Sequence, residues 1–298
     1  MSTPLLFAFP GNETLAACLA AGLDAELGEF EVRRFPDGES YVRFDSDVTG
    51  RPVILLATLV RPDEKVMALL FAAMAARDEG AHSVGLVAPY LSYMRQDRQF
   101  RPGEAITSCH FAKILSGAVD WLVTVDPHLH RHSSLSDIYT IPTTAASSAP
   151  LLAAWIGDNV KNPFLLGPDE ESRQWVAEVA RGSGDAPFSV FSKVRHGDRD
   201  VVITLPDSID LSGRTPVLVD DIISTAGTMA EAARLITRQG GRAPVCVAVH
   251  GVFAGKAEEL LMDAGVARVV TTNTIAHATN AIDITGLLAR STRSMLAP

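Results

Sequence analysis

No stretch of this chain narrows its fold as far as residues 216–229, Pro-Val-Leu-Val-Asp-Asp-Ile-Ile-Ser-Thr-Ala-Gly-Thr-Met. Val217, Leu218 and Val219 form a short aliphatic run of the kind that makes a strand buried in a parallel sheet. Two acids follow with no spacer, then small and hydroxylated residues, and then Met229, Ala232, Ala233 and Ile236 at helical spacing. Strand, loop and helix in that order are one segment of an open α/β sheet.

A loop of this composition at a helix start aims several backbone N–H groups and hydroxyls at one point, where the helix dipole also favours negative charge. One phosphate fits there. Asp220 and Asp221, at the carboxyl end of the strand, can accept hydrogen bonds from neighbouring sugar hydroxyls. Together they describe a sugar-phosphate site. The chain has neither a G-x-x-x-x-G-K-[ST] loop nor a complete G-x-G-x-x-G, so the common nucleotide fingerprints are absent. The plain alternative, an acidic N-cap before an ordinary helix, needs one acid and no hydroxyl cluster.

The stretch resembles the phosphoribosyl-binding signature shared by phosphoribosyltransferases and ribose-phosphate pyrophosphokinases (PRPP synthetases). The resemblance implies that Asp220 and Asp221 hold ribose hydroxyls, while Ser224, Thr225, Ala226, Gly227 and Thr228 hold the 5-phosphate.

At 298 residues the chain suits two domains, each able to bury its own core. A composition 47% hydrophobic and 20% charged reads as globular. The formal net charge of −9 argues against a nucleic acid or an anionic membrane as partner. Cys18, Cys109 and Cys246 are scattered, which suggests neither disulfides nor zinc, and they read as small buried hydrophobes. No Lys or Arg precedes Arg33 and no apolar run is long enough to span a bilayer, so a reducing, cytoplasmic setting is expected.

In chain order, strands are expected at 5–9, 30–35, 51–59 and 84–88, and helices from Gly11-Asn12, with Leu15, Cys18 and Leu19 on one face, and over 64–78. The strand, helix and strand of 51–88 repeat over 217–249, so the chain reads as two copies of one layout. Only the second copy has the acid pair and hydroxyl loop. Further helices are expected at 108–116, 151–159, 256–264 and the C-terminus, and strands at 121–125, 164–166, 188–191, 201–205 and 269–272. The Thr, Ala and Ser stretch 143–150 is the expected domain boundary.

Four other segments carry chemistry. Phe35-Pro36-Asp37-Gly38-Glu39 is a turn signal that would swing Asp37 and Glu39 outward, and by itself reads as a surface hairpin. Arg95, Arg98 and Arg101 cluster in an otherwise acidic chain, as a polyphosphate site or a solvated basic loop would. Asp126-Pro127-His128-Leu129-His130-Arg131-His132 would put three histidines on one face if extended, but no Cys or acid at ligand spacing supports zinc. Lys193 and Arg195 flank one residue and would share a side of a strand, either as solvated charges or as phosphate ligands.

Taken together, these segments resemble PRPP synthetases over nearly the whole chain, with five motifs in family order. The resemblance implies the following roles. Phe35, Asp37 and Glu39 recognise the adenine of ATP bound mainly to a neighbouring subunit, and Arg95, Gln96 and Asp97 contact ATP. His128 helps position Mg-ATP. Asp169 helps hold the metal, although Glu170-Glu171-Ser172 stand where the family has glycines. Lys193 and Arg195 stabilise the transition state.

The expectation is therefore an α/β protein of two similar phosphoribosyltransferase-like domains, 1–146 and 147–298, each a mostly parallel sheet flanked by helices, with the last helix free to pack back on the first domain. The expected function is transfer of the β,γ-diphosphoryl group of ATP to ribose 5-phosphate, with Mg2+ as cofactor, in a homo-oligomer of at least two and up to six subunits. A phosphoribosyltransferase and a non-catalytic regulatory subunit are the alternatives.

Overall fold

Continuous aliphatic runs mark strands covered on both faces, and the structure, a computed structural model, assembles them into two sheets. It describes residues 2–129, 131–196, 200–204 and 209–297, with the backbone alone for 193–196 and 200–203. In chain order the first part comprises β1 (Leu5–Ala8), α1 (Glu13–Leu23), β2 (Glu26–Leu27), β3 (Phe30–Arg34), β4 (Ser40–Phe44), β5 (Pro52–Leu56), α2 (Val66–Asp78), β6 (Ser83–Ala88), α3 (Thr107–Ala118), β7 (Trp121–Val125) and β8 (Thr143–Ala146). The second comprises α4 (Ala149–Asn159), β9 (Pro163–Gly167), α5 (Arg173–Gly182), β10 (Phe188–Val190), β11 (Ser192–His196), β12 (Asp200–Thr204), β13 (Thr215–Ile223), α6 (Gly227–Arg238), β14 (Val245–Gly251), α7 (Ala257–Asp263), β15 (Arg268–Thr272), β16 (Asn280–Ile282) and α8 (Thr285–Leu296).

Two compact units result. One runs through Ala146 and takes in Thr274–Ala276 and the segment carrying α8; the other is Ser147–Asn273 with His277–Asp283. Each holds a six-stranded sheet, ordered β2-β1-β5-β6-β7-β8 and β10-β9-β13-β14-β15-β16, and every pairing within them is parallel. The orders match position for position. Each unit also inserts an antiparallel hairpin before its third sheet strand, β3–β4 in one and β11–β12 in the other. Even the flanking helices correspond: α8 packs on α1 as α4 packs on α5. The expected duplication is thus a property of the fold.

One face of each sheet is sealed by a core. In the first unit Leu5, Phe7, Val53, Leu55 and Leu86 pack with Leu69 and Ala73 of α2 and Phe111 of α3. In the second, Leu166, Leu218 and Cys246 pack with Met229, Ala233 and Ile236 of α6 and Leu261 of α7. Gly85 pairs in register with Trp121, and a Cβ on Gly85 would come within 2.0 Å of the indole. Gly85→Ala is therefore expected to destabilise the protein by roughly 1–3 kcal/mol, the cost of overpacking a filled core. Thermal melts check this, and an unchanged Tm would contradict it.

Several expectations are corrected. Cys18 is exposed and Cys109 half-buried, and Cys246 alone of the three is fully buried; the inner face of α1 is Leu15, Ala16, Leu19, Ala20 and Leu23. Within the 143–150 stretch, Thr143–Ala146 is β8, the edge strand of the first sheet, and the division between the two units falls directly after it, between Ala146 and Ser147. The described residues of 126–132 form no strand, and His130 lies outside the described residues. The short strands β2 and β16 were not foreseen. No described helix is long and apolar enough to cross a membrane.

Candidate active site

In each sheet the chain turns outward after the first strand laid down and later returns on that strand's other side. This creates a crevice at the carboxyl ends of β1 and β5, and of β9 and β13, where open α/β sheets bind ligands. The two crevices differ. In the first unit the Thr58 N–H donates to Asn12 Oδ1 (3.1 Å), Thr58 Oγ1 to the Thr274 carbonyl (2.8 Å) and Lys65 Nζ to the Thr58 carbonyl (2.8 Å). Asn12 and Thr58 are buried. Here the polar groups bond to one another.

The second crevice is built differently. β13 is nine residues long, so the strand continues through the acid pair instead of stopping before it. Its pairing to β9 ends at Leu218, whereas pairing to β14 continues through Asp220, Ile222 and Ile223. Asp220 and Asp221 thus overhang the end of β9. The loop that follows reaches α6 through Ala226, a non-glycine residue in the left-handed region at φ +62°. Among the described residues, none bonds to the hydroxyls of Ser224, Thr225 or Thr228, or to the backbone N–H groups of 224–228. Ser224 is half-buried, and Thr225, Gly227 and Thr228 are exposed. A Cβ on Gly227 would meet nothing within 4 Å. Unlike Thr58, this loop keeps its donors open, as an anion site must.

Asp169 lies on the neighbouring loop, where it caps a short turn: Ser172 N–H donates to Asp169 Oδ1 (3.3 Å) and Ser172 Oγ to the Asp169 carbonyl (2.6 Å). A Cβ on Gly167 would sit 2.5 Å from that hydroxyl, so Ser172 folds tightly over Gly167. Glu170 and Glu171 are exposed, and Arg173 Nη2 donates to Glu170 Oε2 (2.9 Å). The hydrogen bond from Arg173 holds the Glu170 carboxyl below the usual carboxylate range. Residues 169–172 are thus a serine-fastened turn in which Glu170 is paired with Arg173.

Burial, then the charge of Asp221 and, less strongly, that of Asp169 push the Asp220 carboxyl well above its ordinary pKa. Asp220 Oδ1 accepts the Asp221 N–H (2.9 Å). Three acids crowded at one strand end fit a hard cation, which would relieve their repulsion. No three His, Cys, Asp or Glu side chains among the described residues form a metal cage of their own.

The sign of the Asp220 shift gives a prediction. Between the unfolded-state pKa near 3.9 and the raised folded value, the native state holds more protons, so stability falls as pH rises through that window. Asp220→Asn removes this cost. The ligand-free variant is expected to melt higher than wild type at pH 7, by an amount on the order of 1 kcal/mol, with the gain shrinking towards about pH 4. A Tm difference independent of pH would contradict the assignment.

The remaining motifs take these places. In the first unit, Phe35–Glu39 turns the β3–β4 hairpin: Phe35 N–H donates to the Glu39 carbonyl (2.8 Å), and Gly38 supplies φ +96°. Asp37 and Glu39 are exposed. Phe35, 40% exposed, meets Tyr41 edge-on at 5.8 Å, and the Arg33 guanidinium lies 4.8 Å from the Phe35 ring centroid and 4.1 Å from that of Tyr41. Arg95 is exposed after β6 and Gln96 half-buried. The Asp97 side chain is only 6% exposed and lies 3.9 Å from Arg131. That ion pair ties the Arg95–Asp97 stretch to the loop after β7 that carries the half-buried His128. Arg131 was missed in the sequence, where nothing marks it except its place beside the histidines. In the second unit, Lys193 and Arg195 lie on β11, in register with Ile203 and Val201 of β12.

Comparison with known proteins agrees with this layout. Residues 5–118 match the model of the N-terminal domain of ribose phosphate pyrophosphokinase, and residues 134–285 match the phosphoribosyl transferase domain. The ribose-phosphate pyrophosphokinase of Methanopyrus kandleri is 36% identical over 259 residues, 86% of this chain and 87% of the relative. That of Methanothermobacter thermautotrophicus is 34% identical over 279 residues, 93% of this chain and 96% of the relative. The crystal structure of phosphoribosylpyrophosphate synthetase from Mycobacterium smegmatis superposes with a TM-score of 0.87 at 27% identity, over 99% of both chains. Both units are thus phosphoribosyltransferase-like, and with relatives matched along most of their length the chain belongs to the ribose-phosphate pyrophosphokinase family.

Proposed function

We propose that this chain makes phosphoribosyl pyrophosphate and AMP from ribose 5-phosphate and ATP, with the sugar phosphate held at the carboxyl end of β13. The observation that carries this reading is the open loop 224–228 beside an acid pair that overhangs the sheet. The anomeric hydroxyl attacks the β-phosphorus of ATP, the bond from that phosphorus to the α,β-bridging oxygen breaks, AMP leaves, and the hydroxyl proton passes to solvent. Such transfers depend on positioning and charge neutralisation more than on covalent help from the protein.

Asp220 and Asp221 orient the ribose hydroxyls, and Ser224, Thr225, Ala226, Gly227 and Thr228 grip the 5-phosphate. Arg95, Gln96 and Asp97 serve the nucleotide, and Lys193 and Arg195 meet the charge that builds during transfer. Magnesium, when bound, would neutralise phosphate charge; His128 and Asp169 are the residues proposed to attend it. AMP is expected to appear when ribose 5-phosphate and Mg-ATP are both present. ADP as the product would instead assign transfer of the γ-phosphoryl group.

The adenine reading of the hairpin carries its own test. Phe35 presents an exposed face beside exposed Asp37 and Glu39, which supports stacking of a base against a second copy of the chain in a homo-oligomer. Phe35→Ala is expected to raise KM for ATP by about tenfold, the worth of one base–aromatic stack, with KM for ribose 5-phosphate unchanged. An unaltered KM for ATP would remove Phe35 from the site.

A further inference from the structure

We infer that Phe253 and His277 are positioning residues for the sugar-phosphate loop, setting the planes of the peptides that present its N–H groups without touching the ligand. This deepens the reading of 224–228 as the phosphate grip and rests on it.

The link is made through the backbone. The Ile223 carbonyl accepts the N–H groups of Val252 and Phe253, both at 3.0 Å, and the Ser224 carbonyl accepts that of Ala254, also at 3.0 Å. Across a trans peptide the carbonyl and the following N–H point in opposite directions. Fixing these two carbonyls towards 252–254 therefore turns the N–H groups of Ser224 and Thr225 to the other side of the loop, where no described residue takes them.

Phe253 makes those bonds from a strained conformation. Its φ is +44°, a region that bulky residues avoid and keep only where their surroundings hold them. The surroundings here are specific. The Phe253 ring lies over Gly251, where a Cβ would come within 2.5 Å of the ring and 3.0 Å of the Thr271 methyl. Its outer neighbour is the His277 ring, at a centroid distance of 4.4 Å and an interplanar angle of 32°.

His277 is itself anchored. Its N–H donates to Asn280 Oδ1 (2.9 Å), Nδ1 lies 3.0 Å from Thr279 Oγ1, and Nε2 lies 3.7 Å from Glu258. Asn280 Nδ2 in turn donates to Thr271 Oγ1 (2.9 Å) and the Thr272 carbonyl (2.7 Å). The stack thus pins residue 253 to the ends of β14 and β15. Phe253 packs against the core of the unit and in the same conformation bonds to the carbonyl that precedes the loop.

The test compares ligands in the full-length protein. Phe253→Ala is expected to weaken binding of ribose 5-phosphate, and of inorganic phosphate as a bare probe of the loop, by about tenfold, the worth of one or two directed hydrogen bonds. Mg-ATP affinity should stay within about twofold, since its motifs lie in the other unit, and kcat should fall less than KM for the sugar rises. Phe253→Tyr, which keeps the ring, should recover most of the loss. His277→Ala removes the stacking partner together with its ring contacts to Thr279 and Glu258, and gives the same readout if Phe253→Ala does not fold; His277→Phe, which restores the ring alone, should restore binding.

Wild-type affinity for ribose 5-phosphate in a folded Phe253→Ala or His277→Ala protein overturns the inference, as does an equal weakening of Mg-ATP. Thr228→Ala separates the two levels. Unchanged binding there sinks the grip reading itself, whereas loss there with none in Phe253→Ala sinks this inference alone.

Discussion

Lys193→Ala is expected to slow AMP formation by about a hundredfold or more, on the order of 3 kcal/mol of barrier, while ribose 5-phosphate still binds. During diphosphoryl transfer negative charge moves onto the bridging oxygen of the departing AMP and spreads over the transferred group, and a fixed cation is worth most where that charge develops. Lys193 lies on a hairpin of the same unit as the proposed sugar site, two positions before Arg195 along β11. Single-turnover measurements with saturating substrates separate the chemical step from binding. Turnover near that of wild type would remove Lys193 from catalysis, and a matching loss of sugar binding would recast it as a ground-state ligand.

The second large effect is expected at the acid pair. Asp221→Ala should weaken ribose 5-phosphate binding by tenfold to a hundredfold or more, because hydrogen bonds to a charged acceptor are worth about 1.5–3 kcal/mol each. Mg-ATP binding should be little changed. The corresponding change at Asp220 has mixed consequences: the residue is half-buried and crowded by Asp221, so neutralising it stabilises the ligand-free fold while removing a proposed sugar contact. A site that costs stability when empty is built for its ligand. Titration calorimetry of both variants checks this, and retention of full sugar affinity by Asp221→Ala would contradict the assignment.

Most of the architecture was legible because the signals are local. The aliphatic runs of β6, β7 and β9 and the helical spacing of Met229 to Ile236 found their elements, and the repeat of strand, helix and strand predicted the duplication that the two sheet orders display. What failed were features decided by tertiary context. The 143–150 stretch does contain the division between the units, but that Thr143–Ala146 pairs with β7 was not foreseen, since an edge position accepts residues that a central strand would not. Cys18 falls on the expected helical face, yet the buried face of α1 runs one position away, through Leu15, Ala16 and Leu19. The extent of β13 was underestimated because carboxylates are poor strand formers, and the ladder to β14 overrides that preference.

The site was legible in its residue types and not in its supports. The acid pair and hydroxyl loop announce themselves by chemistry. Asp97's partner Arg131, the hydrogen bonds of Asn12, Thr58 and Lys65 in the first crevice, and the Phe253–His277 stack depend on contacts between segments far apart in sequence. The two units differ at this place: Thr58 of the first is tied to Asn12, Lys65 and Thr274, whereas among the described residues none bonds to the hydroxyls of the 224–228 loop of the second.

The most direct test follows the β-phosphorus. With ATP labelled at that position, ribose 5-phosphate and magnesium, the account predicts that the label appears on the sugar as its diphosphate, in equal amount to the AMP released. Label recovered in ADP, or AMP formed without a labelled sugar, would contradict it.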